Sequence, residues 1–265
     1  MSANHTAFNL IIHFVENYVS PVAGRISSRR HGMAIRDGFI SAMPFMIVGS
    51  FLLVFAYPPF SPDTTWGFAR AWLDLAKEFE GRILTPFDMT MGIMSIYICA
   101  AISYNLGKHY EKSNQLDPFM CSMLSIMAFL LVAAPKTSGH LPVDSLGGTG
   151  IFTAILVAVY CVEMMRFLKV RNIGIRLPDQ VPPMIKNSFD LLIPVLVVVL
   201  TLYPLSLFIQ SQFDMLIPQA IMSVFKPLVS AADSLPAILL AVLIGHLLWF
   251  AGIHGAAIVS GMLQM

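Results

Sequence analysis

Two histidines in the last apolar segment of the chain are the residues best suited to chemistry. His246 and His254 lie within residues 235–262, where burying a polar side chain in lipid is costly. An imidazole can donate hydrogen bonds to hydroxyls and accept them, and an aromatic face can stack on the apolar face of a pyranose. We therefore predict a sugar-binding site made of His254, Trp249, Gly255 and His246. The alternative, a structural histidine bonded to a neighbouring helix, stays open for both positions.

Charged residues near the ends of other apolar segments have structural explanations. Glu163 and Arg166 are three residues apart, a helical spacing at which the two charges can neutralise each other. Asp190 and Asp88 each open an apolar segment, where a carboxylate suits a helix N-terminus. A role at an outer mouth is the alternative for Asp88.

The segment 174–183 carries three prolines within six residues and follows several basic residues. Proline fixes its own backbone angle and restricts the residue before it, so this pattern predicts an extended path. A rigid basic loop could dock a soluble partner or serve as a stiff spacer. The residues alone leave these two readings evenly matched.

The composition places these residues in a membrane protein. The 265 residues are 57% hydrophobic and 12% charged, with a mean hydropathy of +0.74. Soluble domains have about 25% charged residues, so the apolar excess must face the lipid bilayer. A net charge of +1 argues against nucleic acid as a partner. We expect no metal and no cofactor. The sequence has no phosphate-binding loop, HExxH or dinucleotide motif. Its three cysteines are isolated from one another: Cys99, Cys121 and Cys161.

The apolar pattern predicts an all-α integral membrane protein, a polytopic helix bundle with about six transmembrane helices. A span needs about 20 apolar residues to cross about 30 Å of hydrocarbon. Residues 8–19 alternate apolar and polar faces at helical spacing, which predicts an N-terminal amphipathic helix on the membrane surface. The six predicted spans are 38–57, 86–106, 119–135, 150–168, 188–209 and 235–262, of which 119–135 is the shortest.

The distribution of basic residues predicts the orientation. With a cytoplasmic N-terminus, the segments on the inside hold 11 of the 16 lysines and arginines and the segments on the outside hold 5. Because positive charge concentrates on the cytoplasmic side, this bias favours the topology with the N-terminus in the cytoplasm. Loops 107–118 and 169–187 should then face the cytoplasm, and loops 57–85 and 136–149 the exterior.

Three segments resemble one family. Residues 36–51 (RDGFISAMPFMIVGSF), 174–194 (GIRLPDQVPPMIKNSFDLLIP) and 248–255 (LWFAGIHG) are similar to motifs of phosphotransferase-system IIC permeases of the lactose, cellobiose and diacetylchitobiose group. The matches occur in the order in which that family carries them and extend over essentially the whole chain. Together they are specific, whereas each alone is not.

The resemblance implies a function and several partners. Such subunits bind a β-linked disaccharide outside the cell and carry it inward. A cytoplasmic IIB subunit, itself charged by IIA, then phosphorylates the sugar, so this chain would not carry the phosphoryl transfer. The resemblance also implies a homodimer, a sugar contact for His254, interface and scaffold helices in 1–211, and the start of the sugar-transport part in 212–265.

The chain also departs from the family pattern. The family continues with a re-entrant hairpin and an Asn-Glu-Pro motif whose glutamate contacts the sugar, and this sequence of residues 1–265 contains no Asn-Glu-Pro. The alternative function is therefore a truncated membrane fragment that does not transport and keeps only a dimerisation or partner-docking role. An intramembrane enzyme is a weaker third reading, because no paired catalytic groups align in the spans.

Overall fold

Every regular element in the described part of the chain is helical. The computed structural model describes residues 29–135, 139–175, 177–178 and 180–224, together with 13, 17, 239, 242–243 and 245–246. The helices in these ranges are α1 (Arg30–Ala56), α2 (Gly67–Phe87), α3 (Met94–Asn114), α4 (Pro118–Ala133), α5 (Ile151–Val170), α6 (Pro183–Asp190), α7 (Leu192–Phe213) and α8 (Ile217–Ser223). The predicted all-α fold is confirmed.

Four helical stretches of the described residues are long and apolar enough to cross a membrane. They are Arg30–Ala56, Gly67–Asn114, Gly148–Val170 and Ser188–Phe213, and the shorter apolar α4 adds a fifth membrane-type helix. Five of the predicted spans therefore correspond to helices. The sixth predicted span and the N-terminal amphipathic helix lie almost entirely outside the described residues.

Helix α3 is the centre of the bundle, since it packs against α1, α4 and α5. Its side chains Ile98, Ile102 and Leu106 are fully buried, one helical turn apart along one face. Phe39 of α1 and Phe129 of α4 are also fully buried against this core. The core is thus built around a helix whose apolar face is covered by protein rather than by lipid.

Small residues allow this close packing. A Cβ atom placed on Gly38 of α1 would lie 2.8 Å from the backbone nitrogen of Ile102 and 2.9 Å from its Cα. The backbone of α1 at Gly38 therefore lies directly against the backbone of α3 at Ile102. Membrane helices approach each other this closely where small residues meet. Buried hydroxyls bond to backbone carbonyls, as when Ser122 Oγ donates to the Ala100 oxygen across α4 and α3 at 2.9 Å.

The region between the first two predicted spans differs from the expectation. Residues 57–85 were predicted as a loop, whereas residues 67–87 form α2. The buried Ala69 and Ala76, seven residues apart, turn the apolar face of this helix toward α1. Tyr57 also donates a hydrogen bond to Glu80 at 2.9 Å, and this bond to a carboxylate raises the pKa of Tyr57, so the phenol stays a donor.

A five-residue π-helical turn, Asp88–Gly92, joins α2 to α3. Asp88, predicted to open a span, instead lies inside a continuous helical run from Gly67 to Asn114. At 1.5 Å per residue, these 48 residues measure about 72 Å, more than twice the thickness of the hydrocarbon layer. The run therefore combines a membrane-crossing part with a part that the hydrocarbon layer cannot hold.

Contacts between loops divide the bundle into two ends. The Ser95 amide donates to the Leu146 carbonyl at 2.9 Å, so the loop before α5 lies beside the start of α3. At the opposite end, His31 at the start of α1 contacts Glu163 near the end of α5. The loops predicted to share a membrane side therefore lie at the same end of the bundle.

Candidate functional site

Three of the four predicted sugar-site residues, His254, Trp249 and Gly255, lie outside the described residues. The fourth, His246, is exposed, and its Nδ1 lies 2.7 Å from the carbonyl oxygen of Val242, one helical turn earlier. This contact is within its own helix. The sugar site therefore stays a prediction, and the described residues bring other polar groups together.

The most connected polar group in the described bundle is the carboxylate of Glu163 on α5. Its Oε1 accepts hydrogen bonds from Tyr110 Oη at 2.7 Å and lies 2.8 Å from His31 Nε2. Its Oε2 accepts from Arg166 Nη1 at 2.8 Å. Both oxygens are therefore occupied, and three helices are tied together: α1, α3 and α5.

Two arginines that lie against the Tyr110 ring complete this cluster. The guanidinium carbons of Arg166 and Arg30 lie 4.7 Å and 5.3 Å from the centre of the Tyr110 ring. Cations at such distances are attracted by the ring electrons. The cluster of Arg30, His31, Tyr110, Glu163 and Arg166 is partly open to solvent, since the side chains of Glu163 and His31 are 30% and 44% exposed.

The sequence predicted only part of this cluster. The spacing of Glu163 and Arg166 correctly predicts their ion pair. His31 and Tyr110 were missed, because they are 132 and 53 residues away from Glu163 along the chain. The signal available was the carboxylate itself: a charge in an apolar helix needs several partners, and one arginine fills only one of its two oxygens.

A cavity of about 540 Å³ lies at the same end of the bundle as this cluster. The turn between α3 and α4 forms one wall, and the segment between α5 and α7 forms the other. The charged residues among those that line it are Lys112, Asp117, Lys169, Lys186 and Asp190. The cavity is therefore a recess between two loops, lined by charged as well as apolar side chains.

Helix termini shape this recess. Helix α3 ends at Asn114, and the next residue, Gln115, has the left-handed φ of 53° that commonly closes helices. Asp117 then caps α4, because its Oδ1 accepts from the amides of Phe119 and Met120 at 2.8 and 3.2 Å. A proline, Pro118, occupies the first position of α4, where its missing N–H costs nothing.

The segment after α5 meets one expectation and corrects another. Asp190 lies near the start of the membrane-crossing stretch Ser188–Phe213, as predicted, where it ends the short helix α6 and its Oδ2 accepts from Lys169 Nζ at 2.5 Å. The proline-rich stretch is not simply extended, because the Val181 amide donates to the Pro178 carbonyl at 3.2 Å and α6 begins at Pro183. Proline at a helix start is favoured, which explains why a proline cluster folds into a turn and a helix here.

The groups that line the recess are suited to recognition of another molecule. Within the described ranges, no group of three or more histidine, cysteine or acidic side chains is placed to hold a metal ion. Cys99, Cys121 and Cys161 are buried in helices, away from the cavity. The lysines and amides at the recess can instead bind acidic groups of another molecule.

Comparison with known proteins gives one consistent result. The model of the family described as "Phosphotransferase system, EIIC" matches residues 36–265. A cellobiose-specific EIIC component from Geobacillus stearothermophilus is 34% identical over 269 residues, covering 95% of this chain and 57% of the relative. A lactose-specific EIICB component from Streptococcus mutans is also 34% identical, over 91% of this chain and 42% of the relative.

A solved structure is similar as well. The crystal structure of the transporter ChbC, the IIC component of an N,N'-diacetylchitobiose-specific phosphotransferase system, matches with a TM-score of 0.70 and 32% identity. The match covers 94% of this chain and 59% of that protein. This chain thus spans about half the length of the relatives it matches, with coverage of 57% and 42% for the two above.

The Glu163 contacts predict a measurable contribution to stability. Replacing Glu163 with Gln keeps the shape of the side chain but removes the negative charge that accepts hydrogen bonds from Tyr110 and Arg166. We expect the free energy of unfolding to fall by about 1 kcal/mol. This value is small for hydrogen bonds to a charged group because the site is partly exposed. Thermal unfolding of the purified protein in detergent would measure it. Asp37→Asn is the control, because Asp37 pairs only with its neighbour Arg36, and it should cost less than about 0.5 kcal/mol. Equal effects of the two substitutions would contradict the assignment.

Proposed function

Because the chain belongs to the EIIC family of the phosphotransferase system, we propose that it forms the membrane-embedded part of a permease that moves a β-linked disaccharide inward for phosphorylation. The observation that carries this proposal is the family match over residues 36–265, combined with the helical bundle that has a TM-score of 0.70 to a diacetylchitobiose transporter. Four long apolar helices give the described part a way to sit in the bilayer.

The proposed substrate class rests on what the relatives are named for. They include cellobiose-specific, lactose-specific and lichenan permease components, the last 30% identical over 96% of this chain. A disaccharide of this class carries many hydroxyls, each of which needs a partner when it leaves water. We propose His254, Trp249, Gly255 and His246 as contributors to that partner set, with His254 as the main hydrogen-bonding residue.

We further propose that the soluble IIB subunit docks at the end of the bundle that holds the cavity. The sugar must be phosphorylated from the side on which it is released, so the donor needs a surface at that end. Support comes from the lysines that line the recess, Lys112, Lys169 and Lys186, and from the proline-rich segment beside them. In this orientation the N-terminus faces the cytoplasm of a bacterial cell, and residues 1–211 serve as the scaffold on which the transport part starting at 212 moves.

The orientation can be tested with matched cysteine probes. In a variant with Cys99, Cys121 and Cys161 replaced by alanine, Ser113→Cys and Ser61→Cys place one exposed thiol at each end of the bundle. We predict that a membrane-impermeant thiol reagent added to intact cells labels Ser61→Cys and not Ser113→Cys, because positive charge favours a cytoplasmic 107–118 loop. Permeabilised cells provide the control, since both thiols should then react. Labelling of Ser113→Cys in intact cells would overturn the orientation.

The sugar site can be tested in a chimera that joins this chain to the C-terminal part of the cellobiose relative. The chimera should bind radiolabelled cellobiose in equilibrium measurements. His254→Ala should weaken binding by about 1–3 kcal/mol, because it leaves a sugar hydroxyl without its partner. His246→Ala should cost less, because its imidazole already contacts the backbone of its own helix. Binding equal to the parent in both variants would refute the assignment of these histidines.

A further inference from the structure

Five aromatic rings meet where α1 ends and α2 begins. We call Phe55, Phe60, Trp66, Phe68 and Trp72 the outer aromatic cluster. The Phe60 ring lies 5.7 Å from both tryptophans, and the Phe68 ring lies 5.4 Å from Trp66 and 5.9 Å from Trp72. Trp72 Nε1 also donates to the carbonyl oxygen of Phe55 at 3.2 Å, so the cluster fastens α2 to the end of α1.

The cluster is packed within itself but open on its outer side. Trp66 is 59% exposed, Phe68 is 60% exposed and Phe55 is 56% exposed. A contiguous apolar patch of this kind on a protein surface marks a contact with something apolar. We therefore expect the exposed side of the cluster to contact either lipid or another protein surface.

Helix α2 has the composition of a helix that lies at a water–lipid boundary. Phe68 and Leu75, seven residues apart and so on one face, are both exposed. Exposed charged residues, Arg70, Asp74 and Lys77, occupy the opposite side. One strip of the helix thus offers apolar side chains while another offers charge, as in interfacial helices.

The path of the chain places this helix at the membrane surface. It begins eleven residues after the transmembrane helix α1 ends and continues into α3, and its six charged residues between Arg70 and Arg82 disfavour the hydrocarbon layer. The exposed apolar face of α1 continues directly into the cluster, since Phe51 is 65% exposed and Phe55 follows it by one turn. The patch is therefore continuous with the exposed apolar surface of a helix long and apolar enough to cross a membrane.

We propose that α2 and the outer aromatic cluster form an interfacial anchor, in contact with the lipid headgroup region at the end of the bundle opposite the Glu163 cluster. Tryptophan is enriched at that depth because its ring is apolar while its N–H is polar. The cluster is poorly shaped for stacking on a sugar. Its neighbouring rings are inclined by 47° to 86°, so ring edges cover ring faces, and the Trp72 N–H is already bonded within the protein.

The chain allows a direct test, because Trp66, Trp72 and Trp249 are its three tryptophans. Two double variants, W72F/W249F and W66F/W249F, each leave one tryptophan of the cluster, and W66F/W72F leaves Trp249 for comparison. Each is reconstituted into phosphatidylcholine vesicles that carry bromine either near the headgroups or near the middle of the bilayer. Bromine quenches only fluorescence from a tryptophan close to it, so the two lipids report depth.

We expect Trp66 to lose more emission to the shallow bromines than to the deep ones, with only partial quenching by aqueous iodide. The unsubstituted chain should show the same preference for shallow quenching, which guards against a variant that fails to fold. Full quenching of Trp66 by iodide without any effect of the bromolipids would overturn the proposal in favour of a water-facing patch. Shielding from both quenchers would overturn it in favour of a protein contact, such as a second copy of the chain.

Discussion

The close approach of α1 to the central helix α3 is the contact on which the rest of the bundle depends. In lipid there is little hydrophobic gain when two helices associate, so packing of small residues must supply the contact energy. Gly38 gives that approach, since a Cβ at this position would overlap the backbone of Ile102. Helices α4 and α5 also pack against α3. A displacement of α1 from α3 would therefore disturb the packing of all four helices.

The two ends of this packed unit carry different chemistry. One end has the Glu163 cluster, where charges pair with one another, and a recess whose lining includes three lysines. The other end has an aromatic cluster and the amphipathic α2. A permease that receives sugar on one side and hands it to a soluble partner on the other requires such asymmetry, and the proposed function assigns partner docking to the charged end.

The sequence predicted well what depends on local composition. Apolar segments of sufficient length identified five membrane-type helices, because every backbone group in lipid must be bonded within its own helix. Prediction failed at α2. The charged residues between Arg70 and Arg82 suggested a loop, although the segment forms an amphipathic helix with apolar residues on one face. The partner of Asp190 could not be predicted locally either, since Lys169 lies 21 residues away and only the folded chain brings the two together.

The candidate sites illustrate the same limit. A carboxylate three residues from an arginine predicts an ion pair, but nothing local in the sequence indicates that His31 and Tyr110 converge on it from two other helices. Tryptophan is a residue type typical of a membrane–water boundary, whereas the assembly of Trp66 and Trp72 into one cluster required α2 to fold back on α1. Long-range convergence is decided by tertiary packing, which local patterns do not encode.

The central claim is that this bundle is part of a sugar permease coupled to phosphorylation. It is tested most directly in cells that lack their own IIC permeases but contain IIA and IIB, and that express the chimera with the cellobiose relative. We predict that radiolabelled cellobiose accumulates as its phosphate, and that this accumulation disappears when IIB is omitted. A chimera that inserts in the membrane and yet yields no phosphorylated cellobiose with IIB present would contradict the account.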